Sequence, residues 1–207
     1  MTIKPGTPWG RQVQRPDQVT TVESDHALAS ALSTSAGSPV EVTDGDLART
    51  LGVIGTDGQP TPRTTVNELP IDLLEVSVDG GEPVIACAHV VARSPWYRGH
   101  WLRGPVLAVM NAEFIGEWDI APRGHPNDGR VEVFEVAHGM SWRHRIDARR
   151  RLRSATHVPH PDISTRSVRS CSWSFPHELE VVIDGYRVGR AATIAITVIA
   201  DAALVYA

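Results

Sequence analysis

The stretch VLAVMNAEFIGEWDIAPRGHPNDGRVEVFEV, residues 106–136, constrains the fold more than any other part of the chain. It reads as a strand over 106–110, a polar junction led by Asn111, a second strand closing on Trp118 to Ala121, a punctuated loop, and a third strand over 131–136. The loop from Pro122 to Gly129 carries two prolines, two glycines, Asn127 and Asp128, so the backbone must turn sharply there. The same grammar continues on both sides. Strand-like segments over 71–78 and 83–91 flank Asp79, Gly80 and Gly81, a hairpin signal, and further strands are expected at 163–170, 172–175, 179–183, 192–199 and 203–206. Many short strands at close spacing predict an antiparallel β-sandwich or a barrel-like domain.

Helices are few. Ser24 is placed to cap a helix that opens with Asp25, turns Ala27, Leu28, Ala31 and Leu32 to one face, and ends near Gly37. A short strand over 39–42 precedes TDGDLARTLGV, where Thr43 or Asp44 caps a short helix with Leu47, Ala48 and Leu51 inward and Gly52 stopping it. Ser141 caps a third helix over 142–153, with Trp142, Ile146 and Leu152 available for packing. Residues 1–21 look like an extended arm or strand lead-in, and 55–62 like a turn-rich link.

A chain of 207 residues and 22.5 kDa can bury a full core, so one domain with an appendage is expected. A formal net charge of −4 gives no global attraction for nucleic acid, and none is expected as a partner. Cys87 and Cys171 are too few and too far apart for a disulfide framework or a metal motif, which fits reduced thiols in a cytoplasmic protein. The amino terminus has no apolar core of signal-peptide length. The apolar run over 191–200 is half a membrane span, so a soluble chain is expected.

Two motifs in order resemble the diacylglycerol and sphingosine kinase family of soluble lipid kinases. In the organising stretch, Asn111, Gly116, Ala121, Pro122, Asp128, Gly129 and Val133 match a family pattern of roughly NGxxxGGG, Ala-Pro and DDGxLDV; Ala112, Glu117 and Trp118 depart from it. Upstream, residues 46–52, DLARTLG, match the second half of the family's GTGNDFARTLG, with Glu41, Val42 and Thr43 where the Gly-Thr-Gly turn would lie. The resemblance implies a mainly β, α+β architecture. Residues 1–70 would be a truncated α/β remnant of a nucleotide-binding domain, and residues 71–207 a β-sandwich like the family's second domain. The family's GGDGT nucleotide loop is not in this sequence.

By the same resemblance Asp46, Arg49 and Asn111 would face nucleotide, and Asp184, in Asp184-Gly185-Tyr186, would be the general base that takes the proton from a lipid hydroxyl. Asp-Gly is also the commonest hairpin dipeptide, so a turn alone accounts for it. Asp128 would hold a Mg2+, with Glu132 as approximate partner, or else form an Asx-turn into a strand. Arg143, Arg145, Arg149, Arg150, Arg151 and Arg153 would contact lipid phosphates or an anionic membrane, or form a solvated helix face. His157, His160 and Asp162 make an HxxHxD pattern, read as a structural turn, with a metal hydrolase as remote alternative. Trp96, Trp101 and Trp118 are expected to pack rather than line a lipid cleft.

Three functions remain open on sequence. The chain is a non-catalytic lipid-kinase relative that binds a lipid or a partner. Alternatively it is an active kinase using Mg2+ and ATP with a partner chain or a rebuilt nucleotide site, or a homodimeric structural module.

Overall fold

The computed structural model describes residues 8–34, 38–53 and 64–207; the expected link over 55–62, the expected end of the first helix near Gly37 and residues 1–7 of the expected arm lie outside them. In chain order the elements are β1 (Arg11–Gln14), β2 (Thr20–Val22), α1 (Asp25–Thr34), β3 (Val40–Val42), α2 (Asp46–Thr50), β4 (Thr65–Val78), β5 (Val84–Ala86) and β6 (His89–Arg93). There follow β7 (Val106–Met110), β8 (Phe114–Ile115), β9 (Trp118–Asp119), β10 (Val131–Val136), α3 (Trp142–Arg151), β11 (Ile163–Val168), β12 (Ser170–Ile183) and β13 (Tyr186–Tyr206). The main sheet runs β1-β4-β13-β12-β6-β7-β10-β11, with β5 on β4 and β2-β3 joined to β13; β8 and β9 form a separate hairpin. Pairing is antiparallel except where β3 meets β2 and β13.

The sheet curls into a sandwich because alternate residues of nearly every strand share one core. Leu74 and Val76 of β4 meet Val90 and Ala92 of β6, Leu107 and Val109 of β7, Val131 and Val133 of β10, Val181 of β12 and Ile194 and Ile196 of β13. Each such side chain contributes about 1.5–3 kcal/mol on burial. The opposite faces of β6, β7 and β10 are apolar too, with Val91, Ala108, Met110 and Phe134 in a second cluster. Strands buried on both faces lose the alternating pattern of a half-solvated sheet.

The segments expected as separate strands at 172–175 and 179–183 are one strand, β12, interrupted between Ser174 and Leu179; those at 192–199 and 203–206 are one strand, β13, interrupted between Ile199 and Ala203. The breaks in apolar patterning are bulges, not chain reversals. The expected strand over 83–91 divides instead. β5 pairs with β4, whereas β6 pairs with β12 and β7, so the chain changes layer at Cys87-Ala88.

The amino-terminal elements pack on one end of the sandwich, where Leu28 of α1 and Leu47 and Ala48 of α2 share a core with Val40, Ile71 and Val205. β4 begins at Thr65, so one continuous strand crosses the boundary expected at residue 70. Ser24 caps α1 through its Oγ, which accepts the Ala27 N–H at 3.2 Å. The cap expected for α2 from Thr43 or Asp44 is replaced by one from α1: Asp25 accepts the N–H groups of Asp46 at 2.8 Å and Leu47 at 3.0 Å. Gly45 leaves room for that carboxylate, since a Cβ there would stand 2.6 Å from Asp25 Oδ1 at a φ of +112°. α3 is capped by Ser141 as expected, but its buried side chain is Arg145, while Trp142 is exposed.

Candidate functional site

Where the chain crosses between layers at Cys87-Ala88, its backbone groups leave the strand ladder and need other partners. Asp184 supplies them. Its carboxylate accepts the N–H of Cys87 at 2.8 Å and those of Ala88 and His89 at 2.9 Å. Asp184 itself lies in the β12–β13 turn with a φ of +47°, and its own N–H donates to His89 O at 2.9 Å. Asn111 serves the same corner from the end of β7. Its Nδ2 donates to Cys87 O at 2.8 Å and Asp72 O at 2.9 Å, and Ala88 O accepts its backbone N–H at 2.8 Å. The structure therefore brings together two residues expected to act on lipid and on nucleotide, and gives both a latching duty at one bend.

His89 begins β6 just past this bend, 3% exposed. Its Nε2 lies 2.8 Å from Asp46 Oδ2, and because a carboxylate only accepts, the ring proton sits on Nε2. Nδ1 has no hydrogen-bond partner. Burial pulls the His89 pKa down, but the Asp46 hydrogen bond and the charges of Asp184, Asp46 and Asp25 outweigh it and the net shift is upward. Burial likewise drives the Asp25 carboxyl up to about 6, against its two backbone hydrogen bonds. The result is an Asp46–His89 pair at the edge of the cleft whose Nδ1 is buried and without a hydrogen-bond partner.

Asp46 and Arg49 also hold the β8–β9 hairpin. Asp46 Oδ1 accepts the Gly116 N–H at 2.6 Å, Arg49 donates to Gly116 O at 2.5 Å and lies 4.3 Å over the Phe114 ring, and Thr50 Oγ1 accepts the Glu113 N–H at 2.9 Å. The hairpin, α3 and the outer faces of β6, β7 and β10 enclose a cleft of about 380 Å³. Its walls include Val91, Ala108, Ile115, Phe134 and Leu152, and Asp46, His89 and Gly185 lie at its polar end. Trp101 and Trp118 line it, contrary to the expectation that they only pack, and Arg149 stands between them, 4.6 Å and 4.7 Å from the two ring centroids. Trp96 is 77% exposed and outside the cleft.

Asp128 lies apart from this site. Its Oδ1 accepts the Arg130 N–H at 2.9 Å, an Asx-turn, and burial raises its pKa, with Asp72 and Glu132 adding to the rise. The adjacent Asp72 is fully buried and accepts the N–H groups of Gly129 at 2.6 Å and Asp201 at 2.8 Å. Among the described residues, two groups bring three metal-ligating atoms within 4.8 Å of one another: Asp25, Asp46 and His89, and His144, His160 and Asp162; Asp128 is in neither. In the first group both Asp25 oxygens and both Asp46 oxygens already accept hydrogen bonds, which leaves little room for Mg2+. The HxxHxD pattern splits, because His157 is buried against Phe134 on the cleft side.

Sequence reasoning missed His89, Asp25 and the burial of Arg145. A single histidine inside the apolar run VIACAHVVA was the available signal for His89; the other two become visible only when α1 meets α2 and α3 meets the 100–104 segment.

No family model matches the chain, and no curated protein matches it. Solved structures do. Two proteins described as candidate diacylglycerol kinases from Bacillus anthracis strain Sterne superpose on 90% of this chain and 76% of their own, with TM-scores of 0.65 and 0.61 at 12% and 13% identity. A structure described as a diacylglycerol kinase from the same strain covers 90% of this chain and 74% of its own, with a TM-score of 0.58 at 14% identity. At such identity the likeness is one of fold: the sandwich with its flanking amino-terminal elements is built as in these proteins.

Proposed function

We propose that this chain is a lipid-kinase-like protein that binds an amphiphilic lipid bearing a hydroxyl headgroup. The observation that carries the reading is the cleft, whose volume falls in the range of about 300–1,000 Å³ usual for small-molecule sites and whose apolar walls end at the Asp46–His89 pair. Acyl chains fit the walls, and the headgroup hydroxyl meets the polar end of the cleft at Asp46 and His89. The likeness of fold to proteins described as diacylglycerol kinases supports the same class of ligand. Exposed Trp96, Tyr97, Leu102 and Trp142 lie on segments that continue into the cleft walls, beside Arg98, Arg103 and Arg143, a combination suited to an anionic bilayer surface.

Trp101 and Trp118 make the binding measurable. Vesicles of anionic phospholipid carrying brominated diacylglycerol should quench their fluorescence saturably, and, in a chain whose exposed Trp96 and Trp142 are already replaced by Phe, Trp101→Phe with Trp118→Phe should remove most of that quenching. Quenching that is unchanged in the double variant would sink the cleft as the binding place.

Phosphoryl transfer is a second reading, favoured by the Asp46–His89 pair at the polar end of the cleft. It requires Mg2+ and ATP, and the test is calorimetric titration of the whole chain with Mg-ATP. Saturation in the micromolar to millimolar range supports a kinase; no heat at millimolar nucleotide restricts this chain to binding.

A further inference from the structure

Outside the cleft, one cluster of side chains has no part in anything described above. α3 opens against the turn that leads into β11, and this juxtaposition sets His144 beside His160 and Asp162. The two imidazole rings are 5.8 Å apart, centroid to centroid, at 70°. His144 Nδ1 lies 3.8 Å from Asp162 Oδ2, and one ligand atom from each of the three residues falls within 4.8 Å of the others. From these positions we propose a zinc-class metal site, independent of the lipid reading, formed by His144, His160 and Asp162.

The donor set points to the class of ion. Two imidazoles and one carboxylate suit Zn2+, Co2+ or Ni2+, whereas Mg2+ and Ca2+ take oxygen-rich shells. At bond lengths of about 2.0–2.1 Å the ligand atoms of a tetrahedral zinc stand roughly 3.3 Å apart. His144 and Asp162 need to close by a fraction of an ångström, within reach of side-chain torsions. Three protein ligands leave the fourth position to water.

Both ligand-bearing segments are held from behind. The His144 backbone N–H donates to the capping Ser141 Oγ at 3.3 Å, and the next residue, Arg145, is anchored by four backbone carbonyls. Asp162 O accepts the Ala137 N–H at 2.9 Å, and His160 O accepts the Ile163 N–H at 3.1 Å. His160 Nδ1 accepts the Asp162 N–H at 3.0 Å. Whichever ring nitrogen of His160 takes the metal, that one hydrogen bond is given up, because coordination uses the Nδ1 lone pair or returns a proton to it.

Without an ion the cluster has little structural purpose. The side chains of His144 and Asp162 are 59% and 36% exposed, and a 3.8 Å contact between such groups is worth little. With an ion, it ties α3 to the 157–163 turn. These are two walls of the cleft, through Ala148 and Leu152 on one side and His157 and Ile163 on the other. The site is thus a staple across the cleft's outer rim.

The experiment uses tag-free, chelator-treated full chain titrated with Co2+, read by visible absorption, and with Zn2+ in competition. The expected result is one equivalent of Co2+ with d–d bands of a four- or five-coordinate ion, displaced by Zn2+. His144→Ala and His160→Ala should each weaken binding at least tenfold, while His89→Gln leaves it unchanged. Equal binding by wild type and His144→Ala would overturn the proposal, as would loss of binding in His89→Gln, which moves the ion to the cleft. Absence of any Co2+ or Zn2+ binding at 100-fold excess of metal would overturn it too. His144 is exposed, so its replacement leaves the fold intact, and thermal melting of the metal-free variants checks this.

Discussion

At the scale of single residues, Asp184 carries the most structure per atom. Three N–H groups at a layer change converge on its two oxygens, and no neighbouring strand is placed to accept them. Asp184→Asn replaces one acceptor with a donor aimed at those N–H groups. We expect it to lower the unfolding free energy by about 2–3 kcal/mol, since a buried unsatisfied polar group costs about 1–3 kcal/mol. Urea denaturation checks this as a shift in midpoint at constant slope; an unchanged midpoint would mean that the latch is not needed. The aspartate was legible in the sequence as an Asp-Gly turn. Its partners were not, because they lie roughly a hundred residues away and are backbone groups, which leave no residue type to notice.

At the scale of elements, α3 is governed by one arginine. Its five arginines, with Arg153 just beyond its end, read as a charged face, and all of them are exposed but Arg145, which is 3% exposed. Its guanidinium donates to the carbonyls of Met140 at 3.0 Å, Trp101 at 2.9 Å, Gly104 at 2.5 Å and Ala137 at 2.8 Å. These bonds join the helix to the aromatic segment that forms the cleft's far wall, and burial lowers the Arg145 pKa without removing its charge at neutral pH. A lysine is a point donor on a flexible stem and cannot reach four carbonyls in a planar fork. Arg145→Lys should therefore cost about 2 kcal/mol or more and speed amide exchange in α3 and residues 100–104 before the sandwich strands. Uniform loss of protection across all strands would contradict this. Helical periodicity could not single out Arg145, because position on a helix face says nothing about what carbonyls the opposing loop presents.

At the scale of the whole molecule, the packing of α1 and α2 against the sandwich gathers Asp25, Asp46, His89 and Asp184, and stability acquires a pH dependence from it. The Asp25 pKa is about 6 in the folded chain, above its ordinary value near 3.9, so the folded state holds this proton more tightly. Its contribution to stability is full below pH 4 and is lost as pH rises through 6. His89, raised above its usual value, contributes in the same sense, below its unfolded pKa and less as pH rises through its folded one. Asp25→Asn removes the first of these. Relative to wild type, the variant should gain on the order of 2 kcal/mol between pH 4 and pH 7.5, measured as the difference of denaturation midpoints across that range. A constant difference would show that Asp25 is not buried as the α2 cap.

By itself the sequence determined the strand-rich class, the third helix with its Ser141 cap, and the turns at Asp79-Gly80 and Asp184-Gly185, because propensity, capping and turn chemistry act within a few residues. It also contained, in the apolar runs over 84–92, broken only by His89, and 106–110, the demand that both faces of those strands be covered. The tertiary structure alone decided what covers them. One face became the sandwich core and the other a cleft roofed by α3 and the β8–β9 hairpin, with His89 at its polar end. That choice rests on contacts between elements far apart in the chain, from Asp46 to Gly116, Arg145 to Trp101 and His144 to Asp162. Such contacts depend on shape and on unpaired backbone groups, which no local pattern of residue types encodes.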